Sequence, residues 1–292
     1  MDILSNHYQR RLLALRDRLG QKVKSLDITR PGLNGHGIVP ELESHRPYVP
    51  GDEIRYIDWN LYARLDRFYL KSMLKEQQGV FHILVDTSES MSVPFPRKRE
   101  LSLEVAAALA YLVLCAGGKV IQYGWGDGLL TTREHQGELG QPYNLIRSFS
   151  SIGRGKTTDL GKTLHNLLRL PETASSWLVI LSDFIDTGQY VRELSHLRME
   201  GVEVKTIQIL HPEEIRFRQR GNLRLIDPES DQRVNRVVGY RLRREMEGIV
   251  DRFFKETEEQ FRGLGIPMLR ATCGSDFEDV VLSYLTLNGA GV

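Results

Sequence analysis

Val80-Phe-His-Ile-Leu-Val-Asp86-Thr-Ser88-Glu-Ser90-Met91 is the stretch on which the fold turns. Val80 to Val85 is a nearly continuous apolar run, the pattern of a strand buried on both faces. Polarity changes at a single residue, and Asp86, Ser88 and Ser90 then alternate. A loop folding back on itself aims one carboxylate and two hydroxyls at one point, the oxygen chemistry that a small hard cation such as magnesium prefers. The plainer alternative is a helix cap after a strand, because Asp and Ser are favoured there with or without a metal.

Working outward, Leu178-Val-Ile-Leu-Ser-Asp183 is a second buried strand ending in a carboxylate, so Asp183 is expected at the same sheet edge as Asp86. Gly153-Arg-Gly-Lys-Thr-Thr-Asp159 is a glycine-hinged loop before a helix. It brings the Thr158 hydroxyl toward that edge and leaves Asp159 near a helix N-terminus.

The rest of the chain alternates. Strands are expected over 80–86, 119–125, 177–183, 202–210 and 267–272, and helices over 98–116, 159–170, 189–200, 240–264 and 277–287. Such alternation predicts an α/β fold, a doubly wound and mostly parallel sheet flanked by helices, which binds ligands at the carboxyl ends of its strands. Residues 213–238, part of an arginine-rich stretch, read as a hairpin inserted near the sheet edge. Ahead of the sheet, 7–23 has a helical pattern with too little apolar surface for a core helix alone. Residues 28–60 are punctuated by Pro and Gly, and 67–74 reads as a strand. The expected division is an N-terminal helix with a small β-rich layer over 1–78 and the sheet domain over 79–292.

The chain has 292 residues, enough to bury a full core, and its 39 basic and 38 acidic residues nearly cancel. No global field draws it to nucleic acid or to an anionic membrane. Cys115 and Cys273 lie far apart in apolar surroundings, which argues against a disulfide framework or thiolate zinc site and for a reducing cytoplasm. No apolar run approaches the roughly 20 residues that span a bilayer, so membrane insertion is not expected. The nine arginines of 213–244 are interleaved with acidic residues and read as a self-paired, solvated face.

Two glycine-rich stretches fail as nucleotide sites. Ser150 stands where a phosphate-binding loop needs its first glycine, and Gly124-Trp-Gly-Asp-Gly128 lacks the dinucleotide spacing. His82 falls inside the buried run, and His165, His196 and His211 have no spaced partner, so neither a catalytic base nor a nucleophile is visible.

Asp86-x-Ser88-x-Ser90, the Gly-x-x-Thr-Asp-Leu-like loop at 155–160 and the strand-terminal Asp183, in that order, resemble the metal-ion-dependent adhesion site of von Willebrand factor A domains. The resemblance implies that Ser88, Ser90 and Thr158 bind Mg2+ through hydroxyls. It implies that Asp86 and Asp183 act directly or through water, and that a partner's carboxylate takes the open position. Mn2+ and Ca2+ are the other ions such oxygen sets admit. Arg154 and Lys156 stand where small residues are usual.

The preceding segment, Arg46-Pro-Tyr-Val-Pro-Gly-Asp52-Glu-Ile-Arg55-Tyr-Ile-Asp58-Trp59-Asn-Leu-Tyr-Ala-Arg64, resembles the signature of the bacterial domain-of-unknown-function family fifty-eight, as does Ile226-Asp-Pro-Glu229. Members of that family join such a segment to an A-type domain. The resemblance implies a non-enzymatic adaptor for a MoxR-type AAA+ ATPase in chaperone-like assembly or metal insertion. A client protein would present the acidic residue. A magnesium-dependent hydrolase, phosphatase or nuclease, is the alternative. Arg55, Asp58 and Arg64, with Trp59, read either as a network that clamps the N-terminal layer against the sheet or as a binding surface.

Overall fold

A computed structural model describes residues 3–20, 44–49, 52–54, 57–72, 80–126, 128–136, 142–155, 159–170, 173, 176–185, 190–216, 221–226 and 233–287. The chain divides into a larger unit, 1–32 with 79–292, and a smaller one, 33–78.

The larger unit opens with α1 (Asn6–Leu19), capped by the Ser5 side chain on the Tyr8 N–H and closed at Gly20, whose φ of 43° suits a residue without Cβ. Tyr8, Leu12 and Leu15 are buried along one face. The helix was expected to accompany the N-terminal layer of 1–78. It belongs instead to the larger unit, where Tyr8 donates a 2.6 Å hydrogen bond to the Glu104 carbonyl and Arg11 pairs with Asp276 and Glu278.

In the smaller unit β1 (Ser44–Pro47) pairs antiparallel with β2 (Tyr69–Ser72), and α2 (Trp59–Leu65) lies between them in sequence. Asp58 caps α2, accepting the N–H groups of Asn60 and Leu61. Trp59 is 57% exposed, edge-on to Tyr62 and Phe68. Arg55 lies outside the described residues.

The sheet of the larger unit is made of β3 (Val80–Asp86), β4 (Lys119–Gly126), β5 (Gly128–His135), β6 (Trp177–Ser182), β7 (Glu203–Leu210) and β10 (Met268–Thr272), in the order β10-β7-β6-β3-β4-β5. Pairing is parallel except at the edge, where β5 runs back along β4. Continuous apolar runs in β3 and β6 are explained by burial on both faces. On one face lies α3 (Pro96–Cys115), a 20-residue helix buried nearly all round, beside α1, α4 (Tyr143–Ser150) and α9 (Phe277–Thr286). On the other lie α5 (Leu160–Leu167), α6 (Val191–Met199) and α8 (Tyr240–Gly263). After β7 come α7 (Pro212–Ile215) and the hairpin of β8 (Gly221–Ile226) and β9 (Arg233–Val238), inside the range expected for one. The sheet is the expected doubly wound α/β arrangement, with α4 added where no helix was anticipated.

Strand order puts functional weight on one place. After β3 the chain moves out to β4 and β5, then returns to β6 on the other side of β3. The order reverses between β3 and β6, and the crevice at the carboxyl ends of those two strands is where such sheets receive ligands.

Candidate metal-ion site

Asp86 is the last residue of β3 and Asp183 directly follows β6, so the two carboxylates flank the switch point. Asp86 is fully buried. Its Oδ1 accepts the Ser88 N–H at 2.9 Å and its Oδ2 accepts the Ser182 hydroxyl at 2.5 Å. The first bond is the capping role that Asp plays after a strand. The Ser88 and Ser90 hydroxyls do something else: they face each other, Oγ to Oγ, at 3.0 Å. The backbone N–H of Thr87 and its hydroxyl both go to the Trp125 carbonyl, which ties this loop to β4.

The third loop meets the first through backbone. Gly155 donates its N–H to the Thr87 carbonyl and Asp159 donates to Gly126. Asp159 caps α5 through the Lys162 N–H, as its place before a helix anticipates. Thr158 lies outside the described residues. Gly124 makes room for this meeting, since a Cβ there would run into Ile152 Cγ2 and press on Thr87 Cγ2.

Asp183 is buried, accepts the Ile185 N–H on Oδ1, and has Lys98 on Oδ2 at 2.9 Å. Lys98 is wholly buried and also reaches Glu214 Oε1 at 2.5 Å. Burial works against its charge, but the Asp183 and Glu214 carboxylates outweigh that and hold the ammonium pKa above its usual value. Burial and then the Asp183 charge push the Asp86 carboxyl up to about 7. Next in sequence, Arg99 clamps the carbonyls of Ile152 and Gly153 through Nη2, while its Nη1 is buried without a hydrogen-bond partner among the described residues. Phe184 holds a left-handed φ of 54°, its buried ring packed on Phe261 of α8 at 5.1 Å.

These residues fit a hard divalent cation in donor chemistry. Among the described residues no three or more His, Cys, Asp and Glu side chains are grouped so as to hold a metal ion. What the switch point offers is oxygen: a buried carboxylate whose charge burial disfavours, a second carboxylate near it, and two hydroxyls turned to each other. The expected residues Asp86, Ser88 and Ser90 come together in one loop, and Asp183 stands near Asp86, just past the end of the neighbouring strand. Ser182, Lys98 and Glu214 were not anticipated. The basic run Arg97-Lys98-Arg99 at the start of a helix was the available signal for Lys98. His82 turns to Tyr123 in the core, and the His211 ring caps α7 and stacks on Phe95.

Residues 44–252 match the family model described as "Protein of unknown function DUF58". The chain belongs to the DUF58 family. This DUF58 chain is 26% identical over 270 residues to Mycobacterium bovis "Uncharacterized protein Mb1516" and to Mycobacterium tuberculosis "Uncharacterized protein Rv1480", covering 87% of its own length and 83% of theirs. Among solved structures it is similar to the conserved hypothetical protein BatB from Bacteroides thetaiotaomicron, with TM-score 0.38 and 12% identity over 71% of this chain and 98% of that one. A von Willebrand factor type A protein from Catenulispora acidiphila overlaps with TM-score 0.38 and 16% identity over 48% of this chain and 34% of its own. Mussel byssus proximal thread matrix protein 1, whose structure carries a "zinc occupied MIDAS motif", does so at 0.37 and 15%, over 45% of this chain and 36% of its own. Overlaps this loose transfer no residue roles to the DUF58 chain, and its fold stands on the strand order and register described above.

Proposed function

We propose that this chain is a divalent-cation-dependent protein-binding module of the adhesion-site type, acting in the cytoplasm as an adaptor for a MoxR-type AAA+ ATPase. Asp86, Ser88, Ser90 and Asp183, with Thr158, would hold the ion, Mg2+ in preference to Mn2+ or Ca2+. The observation that carries the reading is the placement of Asp86 and Asp183 on either side of the topological switch point, with two serine hydroxyls gathered beside Asp86.

A bound cation supplies positive charge that an acidic residue of a client protein completes with a charge-assisted contact. The chain's own residues do the rest. Ser182 and the Ser88 N–H orient Asp86, and the Thr87 bonds to Trp125 fix the loop that presents both hydroxyls. Two histidines are engaged elsewhere, His82 with Tyr123 and His211 with α7 and Phe95, and neither offers a base to a water or substrate. The hydrolase alternative has no comparable support.

The test is isothermal titration of the full chain with a MoxR-type ATPase from the same source, in Mg2+ and in chelator, with wild type and Asp86→Ala. Binding in Mg2+ that falls at least tenfold in chelator and in the variant is the expected result. Equal affinity in all four titrations would overturn the cation-dependent reading. Phosphatase or nuclease turnover lost in Asp183→Ala would replace it with the enzyme.

A further inference from the structure

Asp183 already has a cation on it. Lys98 stands at the third position of α3, the helix that follows the 86–91 loop, and its ammonium is shared between Asp183 and Glu214. The side chain is entirely buried, so its charge is matched by these two carboxylates and not by solvent. An ammonium and a divalent ion on the same carboxylate repel each other, most strongly where water is excluded.

We propose that Lys98 is a tethered counter-ion that competes with the divalent cation for Asp183, so that loading the site requires the ammonium to leave Asp183 and rest on Glu214 alone. This rests on the cation reading above and adds the device that sets its affinity. Glu214 is placed to receive the lysine in either state. Its Oε2 accepts the His211 N–H at 2.7 Å, and the His211 ring is stacked on Phe95, the residue before α3, at 3.7 Å and 7°. The carboxylate is thereby held at the N-terminal end of the helix that carries Lys98. In the ion-free protein Asp183 is never a bare buried charge. The cost falls on metal affinity, which is reduced in proportion to the fraction of time the lysine holds Asp183. A partner's carboxylate, adding a ligand to the divalent ion, tips the balance toward it. Ion and partner are then taken up together.

Mn2+ titration of the full chain by calorimetry, with wild type, Lys98→Met, Lys98→Gln and Asp86→Ala, tests the competition. Lys98→Met is expected to bind Mn2+ at least tenfold more tightly than wild type. Its melting temperature, lowered without ion because Asp183 and Glu214 lose their partner, should rise on adding Mn2+ by more than that of wild type. Lys98→Gln keeps a donor without the charge and is expected to shift affinity the same way, which covers the case of a methionine variant that does not fold. Unchanged or weaker Mn2+ binding in the neutral variants, with wild-type binding intact and lost in Asp86→Ala, overturns the role of Lys98 and leaves the cation site standing. No Mn2+ binding by any of the proteins overturns both.

Discussion

Arg97, Lys98 and Arg99 occupy the first turn of α3, the positive end of a helix dipole, where each cation ordinarily costs about 0.3–1 kcal/mol. No side chain caps that end either. Each residue is there for a partner outside the turn: Arg97 for Glu104, Lys98 for Asp183 and Glu214, Arg99 for the carbonyls of Ile152 and Gly153. Arg97 finds its partner further along the same helix, while for Lys98 and Arg99 local preference yields to tertiary pairing, and such conflict in a sequence marks a site. The carboxylates and hydroxyls at 86–90 and 183 were legible because their chemistry sits at the ends of apolar runs. Lys98, Ser182 and Glu214 were not, since their bonds close over 85, 96 and 116 residues of chain and no spacing announces them. Gly124 belongs to the same scale. Gly124→Ala must push Ile152 away from Thr87, and the expected loss is about 1–3 kcal/mol in urea unfolding. A variant as stable as wild type would mean that the loop shifts without cost.

At the scale of elements, α1 shows how a helix with few apolar residues finds its place. Three buried side chains on one stripe, a buried tyrosine hydroxyl and a fringe of arginines against Asp276 and Glu278 fasten it to α3 and α9. Tyr8 also lies against Phe277, ring centroids 4.8 Å apart, and burial raises its hydroxyl pKa well above the usual value. Tyr8→Ala removes both the ring and the bond to Glu104, and is expected to cost about 3 kcal/mol by denaturant unfolding. Tyr8→Phe should lose about 1 kcal/mol. The strand at 80–86 and the helices from 240 and 277 were readable from periodicity alone, because long apolar runs and full turns repeat a signal. At two turns, α4 is too short to repeat one, though Leu145, Ile146 and Phe149 are buried in the core. The destination of α1 was equally hidden: an amphipathic stripe says that a helix docks and not on what.

At the scale of the whole molecule, the larger unit is discontinuous, with 33–78 interrupting it. Among the described residues, both hydrophobic clusters flanking the sheet are built without any side chain from 33–78. Replacing 33–78 by a glycine-serine linker of equal length should therefore leave far-ultraviolet circular dichroism consistent with the α/β sheet and a single cooperative melt. A molten or aggregating product would show that the sheet needs the interruption to fold. Long-range dependence does run through the larger unit, and Phe184 is where it surfaces. A bulky residue keeps a φ of 54° only when its surroundings compel it. The ring is wedged against Phe261, which in turn stacks on Tyr190. This aromatic wedge works as a set-screw behind Asp183. α8 contributes nothing to the oxygen cluster, yet a change of volume at Phe261 is expected to reach, through Phe184, the carboxylate of the residue before it.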